Sequence, residues 1–428
     1  MIVRLGGPVV AQAVLQATQA ALIGAIALTL PTERAAAFGI AVSMIALAVF
    51  LAEMGYPQLL TRAVARGDAW LSLWRRALTS RLIASGLAAP LLLLLPSLDA
   101  TLELAQPLLM TAALALVAST LSPLPLAIGI GATRLIIAGF VARAAVMLAG
   151  AGALIWHPEG DWWIIASAIN GGWIVQTIVL APVWWRLPVS STVETPDNAQ
   201  EASSILAIAI LAALQDRAQL VALSMVGAEA LVVRLMLPLA LLGGAATLFA
   251  QLDRLLFAAS LRGESAERLA HARTAIAISA QVLAAAMALI VLLIGPPLGW
   301  AERAMIMVAL AEWSLAIAYQ EFGSRRLAEH TYAAIIPPTA IVVGVSLGLQ
   351  LAAAWLGSVF AIAAVRLLSC LAVGWIGQRG PWRPVWPLPG VAALAALSAE
   401  ATLVGCVVIL VWGTSRIVQC LSRMAKRA

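Results

Sequence analysis

Lysine is all but missing from this sequence. Lys426, near the C-terminus, is the only one, so every other basic side chain is an arginine or a histidine. A phosphate-binding loop built on a Gly-Lys-Ser/Thr motif is therefore excluded, and with it ATP hydrolysis by this chain. Charge of either sign is scarce. Only 11% of the 428 residues are Asp, Glu, Lys or Arg, against about 25% in soluble domains. The 3 cysteines, Cys370, Cys406 and Cys420, have no Cys-x-x-Cys spacing and fall in or beside apolar segments. They indicate neither a disulfide framework nor a metal site. His157, His271 and His330 are just as scattered. Paired carboxylates, a His-Glu-x-x-His helix and a Ser/His/Asp cluster are all missing, as is any polar segment long enough for a catalytic domain outside the membrane. No enzyme and no cofactor is expected. No basic stripe with interleaved aromatics points to nucleic acid.

What is there is apolar. Hydrophobic residues make up 63% of the chain, in runs long enough to cross a bilayer, for which about 20 residues suffice. Hydropathy predicts spanning helices at 8–30, 36–60, 77–96, 106–130, 135–156, 162–184, 203–226, 230–257, 272–295, 303–323, 333–355 and 358–377, with a further apolar segment at 391–412. The run Pro8 to Leu30 is too long for a signal-peptide core and reads as the first spanning helix. The expected fold class is all-α: a polytopic membrane protein with twelve core helices in two parallel six-helix lobes, plus one C-terminal apolar segment.

Arginine placement sets the expected orientation, because basic residues concentrate in cytoplasmic loops. Arg4, Arg62, Arg66, Arg75, Arg76, Arg134, Arg186, Arg262, Arg268, Arg273, Arg325, Arg326, Arg379 and Arg383 fall in alternate gaps. The N-terminus and the polar stretch Arg186 to Glu201 are thereby placed in the cytoplasm, and that stretch reads as a linker. The expected division is a lobe over 1–185, the linker over 186–202, a second lobe over 203–378, and an apolar segment with a basic tail over 379–428. Trp156, Trp162, Trp163, Trp300 and Trp355 are expected at the outer interface, and Trp184, Trp185, Trp375, Trp382 and Trp386 at the inner one. An internal repeat supports two halves. Arg66-Gly67-Asp68 recurs 196 positions later as Arg262-Gly263-Glu264, and the same offset maps Gln19 onto Gln215. Helix one then pairs with helix seven, and helix two with helix eight.

Polar groups inside the apolar runs are the candidate functional residues. Gln12, Gln16 and Gln19 fall on one face of helix one, because residues three and four apart are neighbours. Interhelical hydrogen-bond glue explains such a stripe as well as a cavity lining does. Helix seven carries Gln215, Asp216, Arg217 and Gln219. Arg143, Arg234 and Arg366 lie deep in helices five, eight and twelve, and Glu312 in helix ten. Arg81 and Arg254 lie nearer helix ends, where a long side chain is expected to snorkel to the interface. Three central arginines facing lipid would cost about 8–10 kcal/mol together, so they are expected to line an interior. A surplus of guanidinium suits phosphate, which it binds bidentately. Gly344 and Gly348 form a Gly-x-x-x-Gly pattern, read as close helix packing. Pro123, Pro125, Pro337 and Pro338 read as kinks or ordinary bends within helices four and eleven.

A resemblance gives these residues a context. Pro31-Thr-Glu-Arg-Ala-Ala-Ala-Phe38-Gly39, then Met54-Gly55-Tyr56-Pro57-Gln58-Leu59-Leu60-Thr61-Arg62, then Arg66-Gly67-Asp68, resembles the N-terminal signature of bacterial polysaccharide flippases. These are the O-antigen and exopolysaccharide transporters of the multidrug/oligosaccharidyl-lipid/polysaccharide (MOP) superfamily. Asp216-Arg217 with Val226-Gly227, Pro238, and Arg262-Gly263 resemble its second half. The resemblance implies a multi-pass protein of the bacterial cytoplasmic membrane that moves a polyprenyl-diphosphate-linked saccharide to the outer leaflet. It also implies contact with membrane lipids, a polysaccharide polymerase and glycosyltransferases. On this reading Arg217, Arg143, Arg366 and Arg234 meet the diphosphate or acidic sugars. Gln12, Gln16, Gln19, Gln215 and Gln219 meet hydroxyls, and Asp216 or Glu312 couples an ion or balances charge. Rival expectations are a cation-coupled drug exporter, which needs an acid-dominated lumen, a membrane enzyme of polysaccharide assembly, and a non-transporting scaffold.

Overall fold

The structure is a computed structural model. It describes residues 2–98, 100–157, 162–188, 200–211, 251–263 and 332–377, with isolated positions between 214 and 286. All regular structure among them is helical. Seven stretches are long and apolar enough to cross a membrane: Gly7–Thr29, Thr32–Glu53, Trp70–Ser97, Gln106–Ile130, Thr133–Trp156, Trp162–Arg186 and Ala333–Trp355. The first six correspond to the first six expected spans. The chain is an all-α, polytopic membrane protein.

The helices are α1 (Ile2–Thr29), α2 (Thr32–Glu53), α3 (Tyr56–Arg66), α4 (Trp70–Leu98), α5 (Ala100–Glu103), α6 (Gln106–Leu121) and α7 (Leu124–Ile130). There follow α8 (Thr133–Trp156), α9 (Trp162–Ala166), a π-helical turn (Ser167–Gly171), α10 (Gly172–Leu180) and a 3₁₀ turn (Ala181–Arg186). Beyond residue 188 come α11 (Gln200–Leu211), α12 (251–261), α13 (Ile336–Trp355) and α14 (Val359–Gly377).

Leucines and isoleucines along α4, among them Ile83, Leu87, Leu91 and Leu94, are exposed on the outer surface. A soluble monomer rarely presents so continuous an apolar stripe; a lipid-facing helix must. On α1 the exposed positions are Val10, Val14, Ala17, Ala21 and Leu28. At about 100° per residue, Gln12, Gln16 and Gln19 lie almost diametrically opposite that stripe. The glutamine face therefore points inward, and Gln12 is only 4% exposed. Helix α1 runs along α8, where Gly7 meets Ile137.

Several expected helices are subdivided, each for a local reason. The second span ends at Glu53 rather than continuing to residue 60. Met54 (φ 51°) and Gly55 (φ 70°) are both left-handed, and this tight turn starts α3 in a new direction. Glycine is required at 55 twice over, since a Cβ there would also run into the backbone of Ala202 and Leu206. The fourth span breaks at Ser122, whose ψ of 122° is extended. The following residue, Pro123, disfavours helical backbone before it. Pro337 and Pro338, by contrast, kink nothing. They sit in the first turn of α13, where a missing N–H is tolerated. Gly344 and Gly348 do not form a packing face either. A Cβ at either would meet nothing within 4 Å, and the buried positions of α13 include Thr339, Val343, Ser346 and Gln350.

The repeat has a structural counterpart. Gly67 (φ 76°) and Gly263 (φ 87°) are both left-handed. The Gly67 N–H donates to the Val64 carbonyl at 3.2 Å, and the Gly263 N–H donates to the Ser260 carbonyl at 3.2 Å. Both pairs are 196 residues apart, so α3 and α12 end in the same left-handed glycine cap. Trp156, Trp163, Trp185 and Trp355 are exposed as interfacial tryptophans should be, but Trp162 is buried.

Candidate functional site

Two polar constellations stand out among the described residues. The first is intramembrane. Arg143, in the middle of α8, lays its guanidinium 3.7 Å from the centroid of the Trp173 ring. Its Nη1 donates to Gln176 Oε1 at 3.3 Å. Its Nε is buried with no hydrogen-bond partner, and among the described residues no carboxylate pairs with it. A guanidinium over an indole face gains about 2 kcal/mol or more when desolvated, which offsets part of the roughly 2.5–3.5 kcal/mol cost of a charge at this depth.

The cradle for Arg143 is built by the sixth span. Gly172 lets the arginine stem pass, because a Cβ there would lie 3.1 Å from Arg143 Cγ. Just before it, the chain makes the π-helical turn Ser167–Gly171. Such turns are rare overall and frequent at functional sites. Asn170, in that turn, is 2% exposed. Its Nδ2 donates to Thr111 Oγ1 at 2.7 Å and to the Leu108 carbonyl at 3.1 Å, both on α6.

The second constellation lies at the arginine-rich end. Arg62 on α3 makes a two-pronged ion pair with Glu201 in the first turn of α11, at 2.6 and 2.7 Å. The two side chains are only 6% and 12% exposed. Arg262, just past α12, donates through Nη1 to the Gly129 carbonyl at 2.8 Å and the Ile128 carbonyl at 3.2 Å. Those carbonyls lie at the end of α7, where the Ile128 carbonyl also accepts from the Gly131 N–H at 3.1 Å; a cation there meets the negative end of the helix dipole. Trp70 Nε1 donates to the Pro188 carbonyl at 3.1 Å, and Trp74 meets Trp184 edge to face at 4.8 Å. Residues on either side of the 186–202 stretch are thus joined at one end of the bundle.

Arg81 corrects the expectation of a snorkelling side chain. It is 2% exposed and donates through Nη2 to the Ser119 carbonyl at 2.7 Å. Four residues after Ser119 stands Pro123, which has no N–H to offer that carbonyl. The Ser122 N–H reaches it at 3.2 Å, and Arg81 adds the second donor at the break. Alongside, Ser85 and Thr120 share a 2.8 Å hydrogen bond.

Arg366 is buried on α14, on the same face as Ile362 and Ser369. Neighbouring α13 carries Gln350, whose Nε2 donates to Ser346 Oγ at 3.0 Å. The partners of Arg143 are Trp173 and Gln176; no described hydrogen bond joins it to Gln12, Gln16, Gln19 or Arg366. Arg217, Arg234, Gln215, Gln219, Asp216 and Glu312 lie outside the described residues. Sequence reasoning missed Asn170, Trp173 and Gln176, although two amides within an apolar span were a visible signal. Arg62 and Glu201 were read only as topology and linker.

The sequence matches no family model and no curated protein. Solved structures do match, over nearly the whole chain. A multidrug resistance MATE family transporter of the MOP superfamily, in its outward-facing conformation, aligns with TM-score 0.57 at 13% identity, covering 98% of this chain and 96% of that one. A MATE protein in complex with Br-NRF aligns with TM-score 0.54 at 14% identity, covering 97% and 95%. The fold is that of the MATE transporters. A third MATE-like neighbour is a MOP superfamily transporter from Pyrococcus furiosus, whose binding pocket of reverse polarity suggests a different function for it. It aligns with TM-score 0.50 at 14% identity, over 97% of this chain and 96% of that one.

Proposed function

We propose that this protein carries an anionic, lipid-linked saccharide across the bacterial cytoplasmic membrane by alternating access of two lobes, 1–185 and 203–378. The substrate class is a polyprenyl-diphosphate-linked oligosaccharide bound for the outer leaflet and for polysaccharide assembly. It is a transporter and not an enzyme. The observation that carries the reading is Arg143: a guanidinium at mid-membrane, stacked on Trp173, with a buried Nε lacking a partner and no acid to neutralise it among the described residues. Such a group is matched by an oxyanion and mismatched by a cationic drug. Arg366, Arg217 and Arg234 join it as diphosphate or acidic-sugar contacts. The inward glutamines Gln12, Gln16 and Gln19, with Gln215 and Gln219, serve sugar hydroxyls. Asp216 or Glu312 couples an ion or balances Arg217.

A second reading is favoured by the MATE neighbours, one of them a multidrug resistance transporter: export of cationic drugs in exchange for a cation. Reconstitution separates the two. Proteoliposomes receive a labelled polyprenyl-diphosphate oligosaccharide in one arm and a fluorescent lipophilic cation in the other. The anionic reading expects flipping by the wild type and a loss of about tenfold or more in Arg143→Gln, the weight of one charged hydrogen bond. Cation transport without flipping overturns it.

A further inference from the structure

We infer that Asn170 is a positioning residue: it pins the π-helical turn of the sixth span to α6, and that turn aims Trp173 and Gln176 at Arg143. The inference rests on the reading of Arg143 as the anion-binding group and adds the device that holds that group in place.

A π-turn takes in one residue more than an α-helical turn. Everything after it is rotated by about 100° relative to an uninterrupted helix. Without the turn at Ser167–Gly171, Trp173 and Gln176 would face away from Arg143. An α-helix does not take up this wider turn without compensation, so something outside the helix must hold it. Asn170 does so. Both of its amide hydrogens are used on α6, by Thr111 Oγ1 and the Leu108 carbonyl. Its Oδ1 is buried with no partner, so the amide is held through the two Nδ2 bonds alone. Thr111 is itself anchored, donating to the Pro107 carbonyl at 2.9 Å. On the opposite side of the same segment, Ala168 packs against Gly150 and Gly172 against Arg143. The turn is therefore clamped between α6 and α8, with polar contacts on one side and glycine-sized gaps on the other.

The test uses the full-length protein with Cys370, Cys406 and Cys420 replaced by alanine. Arg143→Cys with Gly172→Cys places two thiols where a Cβ at 172 lies 3.1 Å from the position 143 side chain, which suits a disulfide. Oxidation rate then reports the aim of the sixth span without any transport measurement. Expected is rapid disulfide formation with Asn170 present, and slowing by about tenfold or more in Asn170→Ala, which loses two buried hydrogen bonds. Thr111→Val, which leaves Asn170 intact but removes one acceptor, gives a smaller slowing and serves if Asn170→Ala does not fold. Unchanged oxidation in both variants overturns the inference. In proteoliposomes with Arg143 intact, Asn170→Ala is expected to raise the half-saturating concentration of the labelled lipid-linked oligosaccharide and to spare the maximal rate. Slowed oxidation with unchanged half-saturation keeps the positioning role and overturns the reading of Arg143 instead.

Discussion

Breaking the Arg62–Glu201 pair should loosen the arginine-rich end of the bundle by a measurable and calculable amount. The two oxygens of Glu201 accept from the two terminal nitrogens of Arg62 at 2.6 and 2.7 Å, and the side chains are 6% and 12% exposed. An exposed ion pair contributes about 0.2–1 kcal/mol. Removing one member of a buried pair costs about 3–5 kcal/mol, because the other charge is stranded. This pair belongs to the second class. At about 1.4 kcal/mol per decade, 3 kcal/mol is roughly a hundredfold in the population of an opened end. Both residues have further interactions, so the number is read from a double-mutant cycle of Arg62→Gln, Glu201→Gln and the double variant. The reporter is Ala202→Cys, buried where α11 meets Gly55. Its labelling by a water-soluble maleimide should accelerate by about two decades in either single variant and by clearly less than their product in the double. A coupling energy below about 0.5 kcal/mol would falsify the assignment as a buried latch and return the pair to the surface class.

Three further outcomes are expected. Arg81→Met should lower stability in detergent by about 1.5–3 kcal/mol, as the Ser119 carbonyl loses the charged one of its two donors. In a Pro123→Ala background, where residue 123 regains an N–H, the penalty should shrink; an undiminished penalty on thermal unfolding shows that Arg81 does not serve the break. Gly150→Val should cost about 1–3 kcal/mol by wedging α8 from the π-helical turn at Ala168, whereas Gly344→Val, with open space around it, should leave the unfolding midpoint nearly unchanged. Arg262→Ala should cost about 0.3–1 kcal/mol at the end of α7, checked by hydrogen exchange at Gly131 and Ala132, whose N–H groups close that helix.

Hydropathy alone determined the class, the first six spans and the all-helical fold, because a bilayer allows an apolar run few structures other than a helix. The recurrence of Arg66-Gly67 as Arg262-Gly263 was also legible, since a left-handed cap selects glycine by local sterics. Even the inward face of the Gln12, Gln16 and Gln19 stripe follows from helical period. Partnership was not legible. Arg81 and Arg143 are each the single arginine of an apolar run, told apart in sequence only by their distance from the helix end. Tertiary structure sends Arg81 to the Ser119 carbonyl beside the Pro123 break and Arg143 to an indole just past a π-turn. Arg62 and Glu201 are 139 positions apart, and only packing brings them within hydrogen-bond reach. Periodicity reports which side of a helix is apolar. It does not report which neighbour waits there, and in a membrane, where nearly every helix is apolar, that choice rests on small gaps and single polar contacts. Such features are decided by the assembled bundle.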